Sequence, residues 1–295
     1  MNVKQIIRLF LPPIYYKAKE KICPAKENID DSPLPKINKN TNRVIIIGNG
    51  PSLNETVEKY KDEIVKYDRI CVNYFASSGL YEVLKPNIYV FADPAFFWVP
   101  ENQVNSMKVL FDNIVNKTTW PLHVFIPSGA KEAPTLLEFK KNKNITIDFY
   151  NSTNQDVGKM SKFEAWDKNL IAPPAQNVLN VCIYLSLFWN YKETYIIGAD
   201  SSFLEDIRVD QETNELFSID SHFYKQSQVY SDTKLFDKSR GRIRSDWKLH
   251  ELIHAYARMF EYYYELKEYA DYKGLKVYNA SEYSWINCFE RKKLG

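Results

Sequence analysis

The chemistry-bearing residues of this chain gather where short apolar runs end. Val44-Ile45-Ile46-Ile47 leads directly into Gly48-Asn49-Gly50-Pro51-Ser52-Leu53. Glycines on both sides of Asn49 let backbone approach a phosphate or sugar closely, and a helix beginning near Leu53 would offer free N–H groups and a partial positive charge. The segment is neither GxGxxG nor a Walker loop, since it lacks a third glycine and a lysine. Its competing reading is a plain strand-to-helix turn. Other runs end in polar residues too: Asn73 closes 69–73, Asp93 follows 88–91, and Gly198 and Asp200 follow 194–197. Asn73 suits a ribose or base edge and equally a turn; Asp93, before Pro94, suits a ligand contact and equally a cap.

Two further groupings are chemically suggestive. His222-Phe223-Tyr224-Lys225 lies in a polar stretch, 201–245, of which His222 is the only histidine. A neutral imidazole there could accept a proton, and Tyr224 and Tyr230 with Lys225, Arg242 and Arg244 could offset a leaving anion without a divalent ion. All suit an ordinary solvated loop as well. His250-Glu251-Leu252-Ile253-His254 fits HExxH, which on a helix puts both histidines on one face for zinc, with Glu251 as base. Tyr256-Ala257-Arg258 replaces the metzincin extension, and the available third ligands, Glu261, Glu265 and Glu268, share the same helix. The plainer reading is a helix whose histidines, Tyr256, Phe260 and Tyr263 pack on a sheet.

The elements needed to position these groups follow from periodicity. Leu53, Val57, Tyr60 and Ile64 have helical spacing, with Ser52 or Asn54 as N-cap. Residues 123–126 and 145–149 read as strands, 177–189 as a helix, 246–272 as a long helix and 276–278 as a last strand. Short apolar strands alternating with helices imply an α/β fold, a mostly parallel sheet with helices on both faces. Ligands of such sheets bind beyond the carboxyl ends of the strands. The stretch 201–245 is too long for an ordinary connection and reads as a lid over that pocket.

Composition bounds the rest. At 295 residues the chain fits one large α/β domain, and 15% aromatic content with a net charge of +2 excludes general disorder. That balance also argues against a nucleic-acid binder relying on bulk charge. The cysteines Cys23, Cys71, Cys182 and Cys288 form no CxxC; Cys71 and Cys182 read as buried hydrophobes, as in a reducing, cytoplasmic protein. No apolar run approaches the ~20 residues of a membrane span. Ile6, Ile7, Leu9, Phe10, Leu11 and Ile14 are broken by Arg8 and Pro12-Pro13 and flanked by Lys4, Lys17, Lys19 and Lys21. These breaks argue against a signal peptide; the segment reads as an interfacial anchor on an anionic inner membrane, or as a helix packed on the domain or a partner subunit. Residues 24–42 read as a linker, which makes 1–42 an anchor and linker and 43–295 the working domain.

Gly48-Asn49-Gly50-Pro51-Ser52-Leu53 resembles the opening motif of bacterial family 42 sialyltransferases and of the related DUF115 (Maf-type) surface-carbohydrate proteins. Cys71–Phe75, Phe91–Phe97, Asn190–Asp200 and Ser221–Tyr224 resemble later family segments in the same order. The resemblance implies a single Rossmann-like (GT-A-like) domain with a lid, acting as a metal-independent inverting glycosyltransferase. The donor would be a CMP-sugar, sialic acid or a related keto-acid sugar, with no other cofactor. Carried over by position, Gly48, Asn49, Gly50, Ser52, Asn73, Asp93, Asn177, Gly198 and Asp200 would hold the donor. His222 would be the base, and Tyr224 would assist the departing phosphate. The partners implied are a glycan or lipid-linked glycan acceptor, peripheral contact with the inner membrane, and a second copy of the chain. The sequence departs from the family at Gln226, Ser202 and 172–175, where a lid base, a tyrosine and an arginine are expected. A Mg²⁺-dependent diphosphokinase related to the DUF115 group, using Asp93 and Asp200 on neighbouring strand ends, is the alternative; the HExxH peptidase is a third.

Overall fold

The computed structural model describes residues 34–93, 96–97, 104–154, 156–219, 241–243 and 247–295. Strands β1 (Arg43–Ile47), β2 (Asp68–Val72), β3 (Ile88–Val90), β4 (Leu122–Pro127), β5 (Ile145–Tyr150) and β6 (Glu193–Ile197) belong to the main sheet. A small separate sheet follows, formed by β7 (Ile207–Val209), β8 (Leu216–Ile219) and β9 (Gly241–Ile243), before β10 (Lys276–Asn279) and β11 (Glu290–Arg291) return to the main one. The main sheet has eight strands in the order β11-β10-β6-β1-β2-β3-β4-β5. Every neighbouring pair is parallel, as the alternation of strands and helices requires.

Strand β1 shows why its sequence is apolar throughout. Successive side chains point to opposite faces, so Ile45 and Ile47 enter one core and Val44 and Ile46 the other. The first core is covered by α1 (Leu53–Ile64), α2 (Leu80–Leu84) and α3 (Val104–Lys117), which contribute Val57, Tyr81, Leu110 and Phe111 among others. The second is covered by α4 (Lys162–Asp167), α5 (Val178–Phe188) and α6 (Leu249–Lys273), through residues such as Trp166, Ile183, Tyr263 and Leu266. Helix α5 is buried from Leu179 to Leu187 because it lies between the sheet and α6, which explains its near-continuous apolar sequence. Cys71 and Cys182 are buried, as expected, and so is Cys288; all are free thiols.

The segment leading into β1 is fastened at the amino ends of the strands. Leu34 is buried, and the Trp189 indole N–H donates to Pro35 O at 3.1 Å. The buried Asp68 carboxylate accepts from Asn40 N at 3.0 Å, Asn40 Nδ2 at 2.7 Å and the Tyr191 hydroxyl at 2.9 Å. Residues 34–42 are thus fastened to the domain at Leu34, Pro35 and Asn40. No helix among the described residues is long and apolar enough to cross a membrane.

The stretch 201–245 carries more structure than the polar composition suggested, with a 3-10 turn at Phe203–Asp206 and the small antiparallel sheet. Residues 220–240 and 244–246 lie outside the described residues. Helix α6 starts at Leu249, after Lys248 rather than at 246.

Candidate active site

Strand β1 is the point at which the sheet reverses its direction of growth. Strands β2 to β5 are laid down on one side of it, and β6, β10 and β11 on the other. A crevice forms at the carboxyl ends of β1 and β6, the usual ligand position in such folds. A cavity of about 510 Å³ lies there, within the range of small-molecule sites.

The loops after β1 and β6 are interlocked. Gly48 N donates to Ile197 O at 2.8 Å and Gly50 N to Gly198 O at 2.7 Å. A Cβ on Gly48 would lie 2.4 Å from Gly198 O, and one on Gly50 only 2.1 Å from Asp200 Oδ1. Gly198 itself has φ +58°, a left-handed conformation that favours glycine. The glycines of the opening motif therefore admit the neighbouring loop, in addition to any close approach by a ligand.

Ser52 occupies the N-cap position of α1 but makes no side-chain cap. Its hydroxyl donates instead to Asp200 Oδ1 at 2.6 Å, and its N–H to Asp200 Oδ2 at 3.1 Å. Leu53 N is taken by Gly50 O. Two N–H groups at this helix start, those of Ser52 and Leu53, are therefore engaged within the protein rather than free for a phosphate. Burial pushes the Asp200 carboxyl above the ordinary range, while the two Ser52 bonds oppose that shift.

Asn49, Gly50, Asn73, Asp93, Asn177, Gly198 and Asp200 all line the cavity; Gly48 and Ser52 do not. The buried Asn49 side chain donates from Nδ2 to Val72 O at 3.1 Å, whereas its Oδ1 has no hydrogen-bond partner. Asn73 adopts φ +50°, and its carbonyl accepts from the Tyr89 hydroxyl. It is thus a turn-former, yet its buried Oδ1 is also without a partner. Asn177 caps α5, its Oδ1 accepting from Leu179 N at 2.7 Å, while Nδ2 contacts Met259 Sδ at 3.3 Å.

The facing wall was not legible beforehand. Phe203 stacks on Tyr256, with ring centroids 5.2 Å apart and planes 9° from parallel, and both line the cavity beside Trp247, Leu252 and Met259. The spacing of Leu252, Tyr256 and Met259 on α6 marks one helical face, and that was the available signal. His222 and Tyr224 lie outside the described residues, as do Lys225, Tyr230 and Arg244. Arg242 falls in β9, opposite Ser218.

Two other readings are corrected. Asp93 and Asp200 do not sit on neighbouring strand ends, because β1 and β2 separate β3 from β6. Three strand spacings place their backbones about 14 Å apart, too far to clamp one ion pair of a diphosphokinase. The HExxH histidines, His250 and His254, are both exposed on α6 instead of packed on the sheet. Glu251 Oε2 is engaged by Lys248 N at 2.9 Å. Among the described residues no three His, Cys, Asp or Glu side chains converge as a metal site.

No protein-family model matches the chain, and no curated protein matches it. Among solved structures it is similar to the MAf glycosyltransferase from Magnetospirillum magneticum AMB-1, with a TM-score of 0.48 and 11% sequence identity. The match covers 90% of this chain but 36% of that one, so this chain spans little more than a third of that protein.

Proposed function

We propose that the protein is a glycosyltransferase whose cavity binds a nucleotide-activated sugar, with a CMP-linked keto-acid sugar such as sialic acid as the donor. The observation that carries this reading is the pair of unpartnered acceptors, Asn49 Oδ1 and Asn73 Oδ1, at the ends of adjacent strands on one cavity. A buried acceptor left without a donor costs about 1–3 kcal/mol, which a donor-bearing ligand would recover on turning either side chain toward the cavity. Ribose hydroxyls and the cytosine amino group are such donors. The Phe203–Tyr256 wall suits the flat face of a base. The amino end of α5, where residues 175–179 line the cavity, directs the positive end of a helix dipole toward a phosphate.

In the proposed reaction an acceptor hydroxyl attacks the anomeric carbon from the face opposite the nucleotide. The new carbon–oxygen bond forms as the bond to the phosphate oxygen breaks, the electron pair leaves with CMP, and the anomeric configuration inverts. His222 takes the hydroxyl proton. Tyr224 donates to the departing phosphate, helped by Lys225, Arg242 and Arg244, so no divalent ion is needed. The acceptor is a surface glycan or its lipid-linked precursor, built at the cytoplasmic face of the inner membrane.

A thermal-shift panel of CMP, UDP, GDP and ATP, each with and without Mg²⁺, tests the donor class. Selective stabilisation by CMP without Mg²⁺ is expected. A Mg²⁺-dependent response to ATP alone would overturn the proposal in favour of phosphoryl transfer.

A further inference from the structure

Beside the cavity lies an exposed aromatic shelf that the donor chemistry leaves unused. Tyr283 and Trp285, in the segment after β10, keep 45% and 38% of their surface exposed. Both are tied by their polar edges to Glu205. The Tyr283 hydroxyl donates to Glu205 Oε1 at 2.5 Å, and the Trp285 indole N–H lies 3.2 Å from that oxygen and 2.8 Å from the Tyr283 hydroxyl. The hydrogen-bonding edges are satisfied among themselves, and the ring surface is what remains for solvent.

The shelf is continuous with the cavity rim. Trp285 N donates to Asp200 O at 2.8 Å, and Glu205 stands in the turn between Phe203 and Asp206, which both line the cavity. Its carboxylate is close enough to Asp200 to help raise that group's pKa. Among the described residues, Glu205 Oε2 makes no hydrogen bond.

Aromatic faces carry the negative lobe of the ring quadrupole and attract weakly positive C–H groups. A pyranose ring offers such a C–H face, bordered by hydroxyls that would find an acceptor in Glu205 Oε2. Rings pinned at their edges lose little conformational freedom when such a ligand lands on them. A protein partner would require a far larger apolar area than these side chains present.

We propose that Tyr283, Trp285 and Glu205 form the acceptor subsite, stacking a pyranose ring of the glycan so that its hydroxyl enters the cavity at Asp200. This inference rests on the glycosyltransferase reading for its role, but not for its chemistry.

The test is an NMR titration of the full-length ¹⁵N-labelled protein with the methyl pyranosides of glucose, galactose and N-acetylglucosamine. The Trp285 indole resonance, assigned by its loss in Trp285→Phe, should move saturably with millimolar affinity for at least one of them. Tyr283→Ala, followed by the Trp285 indole, and Trp285→Ala, followed by the backbone amides of 203–206, should each weaken that binding about tenfold, with CMP-induced thermal stabilisation unchanged. Glu205→Gln keeps the side-chain shape and should also weaken it, which covers the case in which an alanine variant does not fold. An indole resonance indifferent to all three pyranosides, or equal affinity in the variants, overturns the subsite. Pyranoside binding without any CMP response would instead remove the donor reading and leave the shelf standing as a carbohydrate site.

Discussion

Gly50→Ala probes the join between the two loops that build the cavity floor. The new Cβ would lie 2.1 Å from Asp200 Oδ1, 2.7 Å from Asp200 Cγ and 2.7 Å from Gly198 O. None of these is the end of a long flexible chain, so Asp200 must move by about an ångström to restore contact distance. That movement breaks the hydrogen bonds from the Ser52 hydroxyl and N–H. Hydrogen bonds to a charged group are worth about 1.5–3 kcal/mol each, so the loss comes to about 3–6 kcal/mol. Against a total stability of about 5–15 kcal/mol this is a large fraction. Urea unfolding at neutral pH should show it as a lower midpoint at unchanged slope. In an Asp200→Ala background the worst contact is absent, so the same substitution should cost at least about 1 kcal/mol less. The residual cost would come from Gly198 O. A loss below about 1 kcal/mol for Gly50→Ala in the wild-type background, or an equal loss in both backgrounds, refutes the interlock as described.

Asn73→Gly retains the φ of +50° without strain while deleting the unpartnered Oδ1. Its unfolding free energy should stay within about 1 kcal/mol of wild type, while the CMP-induced shift should correspond to about tenfold weaker binding; an unchanged shift removes Asn73 from the donor site. Asp200 has a folded-state pKa raised by burial, so its favourable protonated contribution is fully present below about pH 3.9 and is lost as pH rises through the folded value. Urea stabilities measured from pH 3.5 upward should therefore fall for wild type relative to Asp200→Asn across that window, and a constant difference would contradict the burial argument. Asp68→Ala leaves Asn40 and Tyr191 without their shared acceptor and should cost about 3 kcal/mol. Limited proteolysis should then cut within 34–42 sooner, while CMP binding survives. His250→Ala and His254→Ala should change neither activity nor stability by more than about 0.5 kcal/mol, and loss of bound zinc with loss of activity would restore the peptidase.

The main sheet was readable because β1, β2, β3 and β6 are buried on both faces, which forces short apolar runs with no polar alternation. Helix α3 has its own local signal, since Met107, Leu110, Phe111 and Ile114 recur at helical spacing and pack into the core. The small sheet was hidden because its strands are three or four residues long and alternate too briefly to show a period. Much of the candidate site followed from a single topological rule: residues at the carboxyl ends of parallel strands converge, however far apart in sequence. Asn49, Asn73 and Asp200 meet on that basis. What the rule could not supply was who holds whom. Ser52 looked like a cap or a ligand contact, and its engagement with Asp200, 148 positions away, is a tertiary fact with no local trace. The shelf at Tyr283 and Trp285 was likewise silent, because isolated exposed aromatics have no period.

The fastening of residues 34–42 fixes which end of the molecule receives the preceding chain. Asp68, Trp189 and Asn190, which hold that segment, mark the pole where the parallel strands begin, while the ligand crevice opens where they finish. A tether acting through the stretch before residue 34 would therefore hold the domain from the side opposite the crevice. Tightening or loosening such a moorage would alter where the domain is stationed without reshaping the cavity.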